Sequence, residues 1–271
     1  MPDIFPELKC PFCEKIVEKL HPNSHILPRW LFRLSSSRKE KYFGAELGPD
    51  KINIIQSGFK GSFICQDCEK NFGEDDRYAS LIFGEKNLKS KEENVADAKL
   101  KFLEHERGLA NCYSFERLNF KKLQRFVLGV VMRGHMARLK DGKGFLGEKH
   151  FVEMKKIYSD ILGLDDKTYP ILIYKVYSGD KYKETGFLPV RGRNSKGTNY
   201  ASFMGGGYLF GVVVQNHLIS ESALISNLML KSDGKLVIPE TQMENLQFMQ
   251  KAVEKTNKLA RKRWRGPKEL D

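Results

Sequence analysis

The stretch CPFC (residues 10–13) is answered by CQDC (65–68), and between them runs HPNSHILPRW (21–30). The two-residue spacer of each Cys-x-x-Cys pair lets a tight turn aim both sulfurs at one point. Two such pairs place four thiolates tetrahedrally around a zinc ion. Fifty-one residues separate Cys13 from Cys65, so the insert reads as a structured hairpin or loop closed by the metal. In a reducing compartment, paired cysteines point to zinc before disulfides. A redox dithiol is the competing reading, and neither pair sits in a β–α redox context. Four-cysteine sites are closed. Cys10, Cys13, Cys65 and Cys68 are therefore expected to hold a structural Zn2+ that folds the chain and does no catalysis.

The whole chain of 271 residues is long enough for a sizeable core, with 41% hydrophobic and 30% charged residues; that balance reads as globular. No apolar run approaches the ~18–20 residues needed to cross a bilayer. The start, MPDIFPELKC, lacks a basic segment followed by an apolar one, so a cytoplasmic location and no membrane partner are expected. Lys and Arg number 46 against 34 Asp and Glu, a net charge of +12. Such a surface attracts polyanions, nucleic acid first among them. The last 21 residues alone carry +5 of this excess.

The chain reads as α+β in three parts. Residues 1–85 form the cysteine-organised module, with KINII (51–55) and GSFIC (61–65) as short strands. Residues 86–165 form a helical region. Its mixed-charge part, 88–108, reads as a solvated helix or linker. Leu123, Phe126, Val127, Val130 and Val131 follow the i, i+3, i+4, i+7, i+8 rhythm of a buried helix face within 116–139. His135 there reads as a packing or surface residue, and 147–160 as another helix. Residues 166–271 hold a small antiparallel sheet, from YPILIYKVY (169–177), TGFLPVRGRNSKGTNYASF (185–203), YLFGVVVQNH (208–217) and KLVIP (235–239). A basic helix from about 240 to 262 closes the chain. MGGG (204–207) lacks the Lys-Ser/Thr of a phosphate loop and reads as a turn before a buried strand. Cys112 reads as an ordinary buried thiol.

The order Cys-x-x-Cys, a polar residue plus His-Ile-x-Pro, then Cys-x-x-Cys plus a polar residue resembles the HNH (ββα-metal, treble-clef) nucleases over residues 8–80. The resemblance implies that His25 is the general base and Pro28 the motif proline. It implies zinc on the four cysteines, and Glu69 on a divalent cation, Mg2+ or Mn2+. Histidine titrates near neutrality and takes a proton from water; a hard cation on oxygen ligands stabilises the phosphate and leaving group. Ser24 stands where the family most often has Asp, His or Glu. Glu69 replaces the usual Asn or His. Gly73 falls where many relatives have a second ligand, and Glu74 beside it is a candidate substitute. For the asparagine that braces the loop, Asn53 is the candidate, with Asn71 as another polar contributor. The arrangement also resembles a group of bacterial HNH-type proteins of similar length, and this implies a role in phage defence.

Arg29 and Arg33 follow the histidine and are placed to meet phosphates. VRGRNSKG (190–197) is a basic hairpin loop presenting Arg191 and Arg193. KLARKRWRG (258–266) combines Arg261, Lys262, Arg263 and Arg265 with Trp264, a set suited to phosphate neutralisation and base stacking. Each basic segment reads equally as a solvated surface. The expectation is a metal-dependent HNH-type endonuclease acting on DNA, with RNA left open. The alternative is a zinc-containing nucleic-acid-binding or protein-interaction module in which His25 is structural. A third reading makes His25 an unrelated histidine of the zinc module. His21, before a proline, reads as a surface residue. The sequence is compatible with a homodimer or a regulatory protein partner and distinguishes neither.

Overall fold

A computed structural model describes residues 7–34, 60–84, 101–103, 112–139, 142, 144–163, 165–177, 186–193, 197–214 and 223–242. The first described residues form a knuckle in which Lys9 bridges Ile16 and the Glu14 amide bonds back to Cys10 O at 2.8 Å. Strand β1 (Ser24–His25) follows, then helix α1 (Arg29–Leu34). β1 pairs antiparallel with β2 (Lys60–Gly61), and helix α2 (Gln66–Phe83) starts five residues after Gly61. Cys65 is the N-cap of α2 in an extended conformation, so the second cysteine pair straddles the helix start. α2 buries Cys68, Phe72, Asp75, Tyr78, Ala79, Ile82 and Phe83 on one side, the 3.6-residue spacing of a helix with a single packed face.

Helix α3 (Phe120–Leu139) is the molecule's central rod. From Phe126 to Met136 every residue is buried, because α2, α4 (Glu148–Tyr158) and the sheet pack around it. The sheet has seven strands in the order β3-β4-β9-β5-β8-β7-β6. They are β3 (Lys101–Leu103), β4 (Cys112–Phe115), β5 (Ile171–Tyr177), β6 (Phe187–Arg193), β7 (Asn199–Gly205), β8 (Tyr208–Val213) and β9 (Leu236–Gln242). Helix α5 (Ala223–Leu228) lies between β8 and β9 in the chain. β7 and β8 are joined by Gly206 and Gly207, at φ of 61° and 77°. Both central residues of this two-residue hairpin need positive φ, which glycine adopts without strain.

The α+β expectation holds, and several parts of it are corrected. The sheet is neither small nor purely antiparallel. β3 and β4 join it from the segment read as helical, and β5 pairs parallel with β9, Lys175 opposite Glu240. A parallel pair needs a long crossover, and β6, β7, β8 and α5 supply it. Residues 101–103 of the charged segment form β3, not a helix or linker. Residues 240–242 belong to β9; the rest of the expected closing helix, and KINII, lie outside the described residues. One apolar cluster joins the knuckle (Cys10, Phe12), α2 (Phe72), α3 (Phe126, Val130) and the sheet (Ile173, Phe203, Phe210, Ile238). No helix among the described residues is long and apolar enough to cross a membrane.

Candidate metal centre and the histidine beside it

The four cysteine sulfurs lie within 4.8 Å of one another. Cys10 and Cys68 Sγ are 3.9 Å apart, and Cys13 and Cys65 Sγ 3.7 Å apart. A disulfide needs ~2.05 Å. A tetrahedron with Zn–S bonds of ~2.3 Å has sulfur–sulfur edges of about 3.8 Å, so the spacing suits one metal ion and is compatible with structural zinc. The knuckle is shaped for it: Glu14 takes the left-handed conformation (φ 62°), which turns the chain back after Cys13. The Cys65 amide donates to Cys10 Sγ at 3.4 Å. The hydrogen bond with Cys68 first, then the backbone amides of the knuckle and of Cys65, hold the Cys10 thiol down at about 4, while its neighbour Cys68 is pushed up. A site that already favours thiolate on one sulfur is prepared to exchange protons for a cation.

His25 of β1 and Glu69 of α2, the residue directly after Cys68, face each other. His25 Nδ1 is 4.0 Å from Glu69 Oε1, and the His25 amide donates to the same oxygen at 3.4 Å. The two side chains are 30% and 20% exposed, respectively, so both border solvent. Glu69 Oε2 is buried and has no hydrogen-bond partner, an atom that a cation would satisfy. Burial lowers the His25 pKa; Arg133, Lys60 and Arg29 add to this, and Glu69 opposes it. The shift favours the neutral ring, the form that accepts a proton or ligates a metal.

The remaining candidates divide. Ser24 is fully buried, and its hydroxyl donates to His21 O at 3.4 Å. Alternation along β1 turns it away from the His25 face. Glu74 and Asn71 are exposed on α2. Five and two residues beyond Glu69, they lie on other faces of the helix. His21, read as a surface residue, is half-buried with Nδ1 buried and unpartnered. Pro28 is buried and Arg29 is exposed at the start of α1. Arg33 lies on α1. Arg191 and Arg193 are exposed at the end of β6, and Arg193 Nε donates to Gly197 O at 2.9 Å. Asn53, Arg261, Lys262, Arg263, Trp264 and Arg265 lie outside the described residues. His135 is a packing residue: buried, its Nδ1 accepts the Leu146 amide at 3.0 Å. Cys112 is buried as well.

Sequence reasoning missed Asp76 and Arg133. Asp76 is seven residues after Glu69, two helical turns along the same face. Arg133 grips it with Nη1–Oδ2 at 2.8 Å and Nη2–Oδ1 at 2.7 Å. The i+7 spacing pointed to Asp76, and a lone arginine inside the apolar run VLGVVMRGHM was the only sign of Arg133. In comparisons with protein-family models, curated proteins and solved structures, none matches this chain.

Proposed function

We propose that the chain is a metal-dependent HNH-type endonuclease, built on a zinc-stapled treble clef, that hydrolyses phosphodiester bonds in DNA. The observation that carries the reading is the meeting of His25 and Glu69 at 4.0 Å, from residues 44 apart, with Glu69 directly after Cys68 and both side chains bordering solvent. The order of parts supports it too: a knuckle, a hairpin strand bearing the histidine, and a helix whose N-cap and first turn carry the second cysteine pair and the carboxylate.

Cys10, Cys13, Cys65 and Cys68 hold zinc as a staple. Glu69 is the protein oxygen offered to Mg2+ or Mn2+, which when bound supplies positive charge to the phosphate and leaving oxygen. The neutral His25 imidazole, through the Nδ1 facing Glu69, accepts a proton from the attacking water. Arg29 and the exposed Arg191 and Arg193 are counter-charges for the backbone, within an overall charge of +12. We carry a cytoplasmic setting and phage defence as the biological context of the same reading.

The test is a cleavage assay on supercoiled, linear, single-stranded and branched DNA, with RNA alongside, across Mg2+ and Mn2+. Cleavage that needs the cation, and that His25→Ala abolishes with zinc content and melting temperature retained, is the expected result. If wild type cleaves none of these substrates, or His25→Ala cleaves as well as wild type, the reading fails. Salt-sensitive DNA binding without cleavage would instead favour a binding module.

A further inference from the structure

We propose that Arg133 is the positioning residue of the His25–Glu69 site, an internal brace from α3 that fixes the strand bearing the histidine. The catalytic consequence rests on the nuclease reading; the brace itself does not.

Arg133 is 1% exposed. A buried guanidinium carries five N–H donors, each costly if left unpaired. Here Nη1 and Nη2 form the bidentate pair with Asp76, and Nη1 also donates to the His25 carbonyl at 3.1 Å. Nε reaches Gly129 O at 3.4 Å, and the guanidinium lies over the Phe72 ring, 5.3 Å from its centroid. The arginine is therefore clamped to α2 through Asp76 and to α3 through its own turn. Its further hydrogen bond goes to β1, at the His25 carbonyl.

That contact falls where β1 most needs one. The β1–β2 ladder is two residue pairs long, too short to fix a strand by itself. The His25 peptide is held from both sides: its amide by Glu69 Oε1, its carbonyl by Arg133. Asp76 and Glu69 share a face of α2, so the same clamp sets the distance between base and carboxylate. A lysine cannot replace it, since one ammonium lacks the planar fork that meets a carboxylate and a carbonyl together. A buried ion pair is an inefficient way to gain stability, which leaves the fixing of geometry as its use.

Two variants separate brace from scaffold. In Arg133→Met/Asp76→Asn both charges go together, so none is stranded; Arg133→Lys keeps the charge and loses the fork. Hydrogen exchange of the His25 and Ile26 amides, zinc content and cleavage kinetics are measured on the full-length chain. The expected result in each variant is exchange at His25 about tenfold faster or more, with zinc retained. With it, kcat falls about tenfold while KM changes less than about threefold. Exchange at His25 within about twofold of wild type in both variants overturns the inference. If the double variant does not fold, Arg133→Lys alone decides by the same readout. If wild type does not cleave, faster exchange still supports the brace, and only the nuclease reading falls.

Discussion

Glu69 Oε1 accepts the His25 amide, whereas Oε2 is buried without a partner. Glu69→Gln preserves the shape and removes the charge. It is expected to lower Mn2+ affinity, read by electron paramagnetic resonance, and to slow cleavage by about 100-fold, with the zinc staple and melting temperature retained. Unchanged Mn2+ affinity would remove Glu69 from the cation site. His135 gives a pH prediction. Burial, with help from Arg138 and against Glu148, lowers its pKa below the ordinary 6.5, and its Nδ1 is an acceptor only while unprotonated. The folded state thus binds fewer protons than the unfolded one. Its contribution is present above the unfolded pKa and lost as pH falls through the folded value. Between pH 7.5 and 5.5, urea unfolding of wild type should lose up to about 1.4 kcal/mol more than that of His135→Gln; equal losses would show that His135 is not the group responsible. The residues that sequence exposes are those with local spacing: the cysteine pairs, His25 before its proline, and Glu69 after Cys68. Arg133 is 108 residues from His25, and no pattern in a linear chain registers such a contact. Glu74 was the nearer acid in sequence, but helix geometry brings Asp76 to the Glu69 face instead.

α2 and α3 pack closely at Gly129. A Cβ there would stand 2.9 Å from Phe72 Cδ1 and 3.3 Å from Tyr158 Cε2. Phe72 cannot easily withdraw, because Phe12 and Tyr158 flank it at centroid distances of 4.9 and 4.8 Å. Gly129→Ala gains helix propensity of about 1 kcal/mol and still should destabilise by about 1–3 kcal/mol through overpacking, measured by denaturant unfolding. Stabilisation would mean the helices can separate freely. The displaced Phe72 ring lies under the Arg133 guanidinium, so faster exchange at His25 is expected in the same variant. At this scale α3 and the β5–β8 strands are legible, because α3 carries an apolar period and the strands are apolar runs bounded by turn residues; α2 is not, although it is nearly as long. β3 and β4 are three and four residues long, below the length at which alternation means anything. Their place in the sheet comes from β9, which arrives from more than 120 residues away to pair with β4, Phe115 opposite Leu236.

The described residues of all three sequence parts contribute to one apolar cluster. Cys10, Cys65 and Cys68 belong to it together with Leu123 of α3, Phe203 of β7 and Ile238 of β9. Trp30 of α1 lies 5.9 Å, ring to ring, from Phe126 of α3, and Phe83 of α2 lies 5.4 Å from Phe210 of β8. A metal ion that ties Cys10 to Cys68 would therefore tie down one corner of a common core. Removing it leaves Cys10, Cys65 and Cys68 as free thiols inside that core and withdraws the metal's binding free energy from folding, and both effects act on the whole cooperative unit. The chain contains two tryptophans, Trp30 and Trp264, so in a Trp264→Phe background fluorescence reports on α1 alone while far-ultraviolet circular dichroism reports on the helices and sheet. With zinc bound, the two signals should unfold in one coincident transition. After chelation, or in Cys65→Ser, both should shift together to lower temperature, since apolar contacts carry the loss from the knuckle to the sheet. If fluorescence melts early while the circular dichroism transition stays in place, the knuckle and α1 unfold as an independent unit. The shared cluster would then be contact without cooperativity.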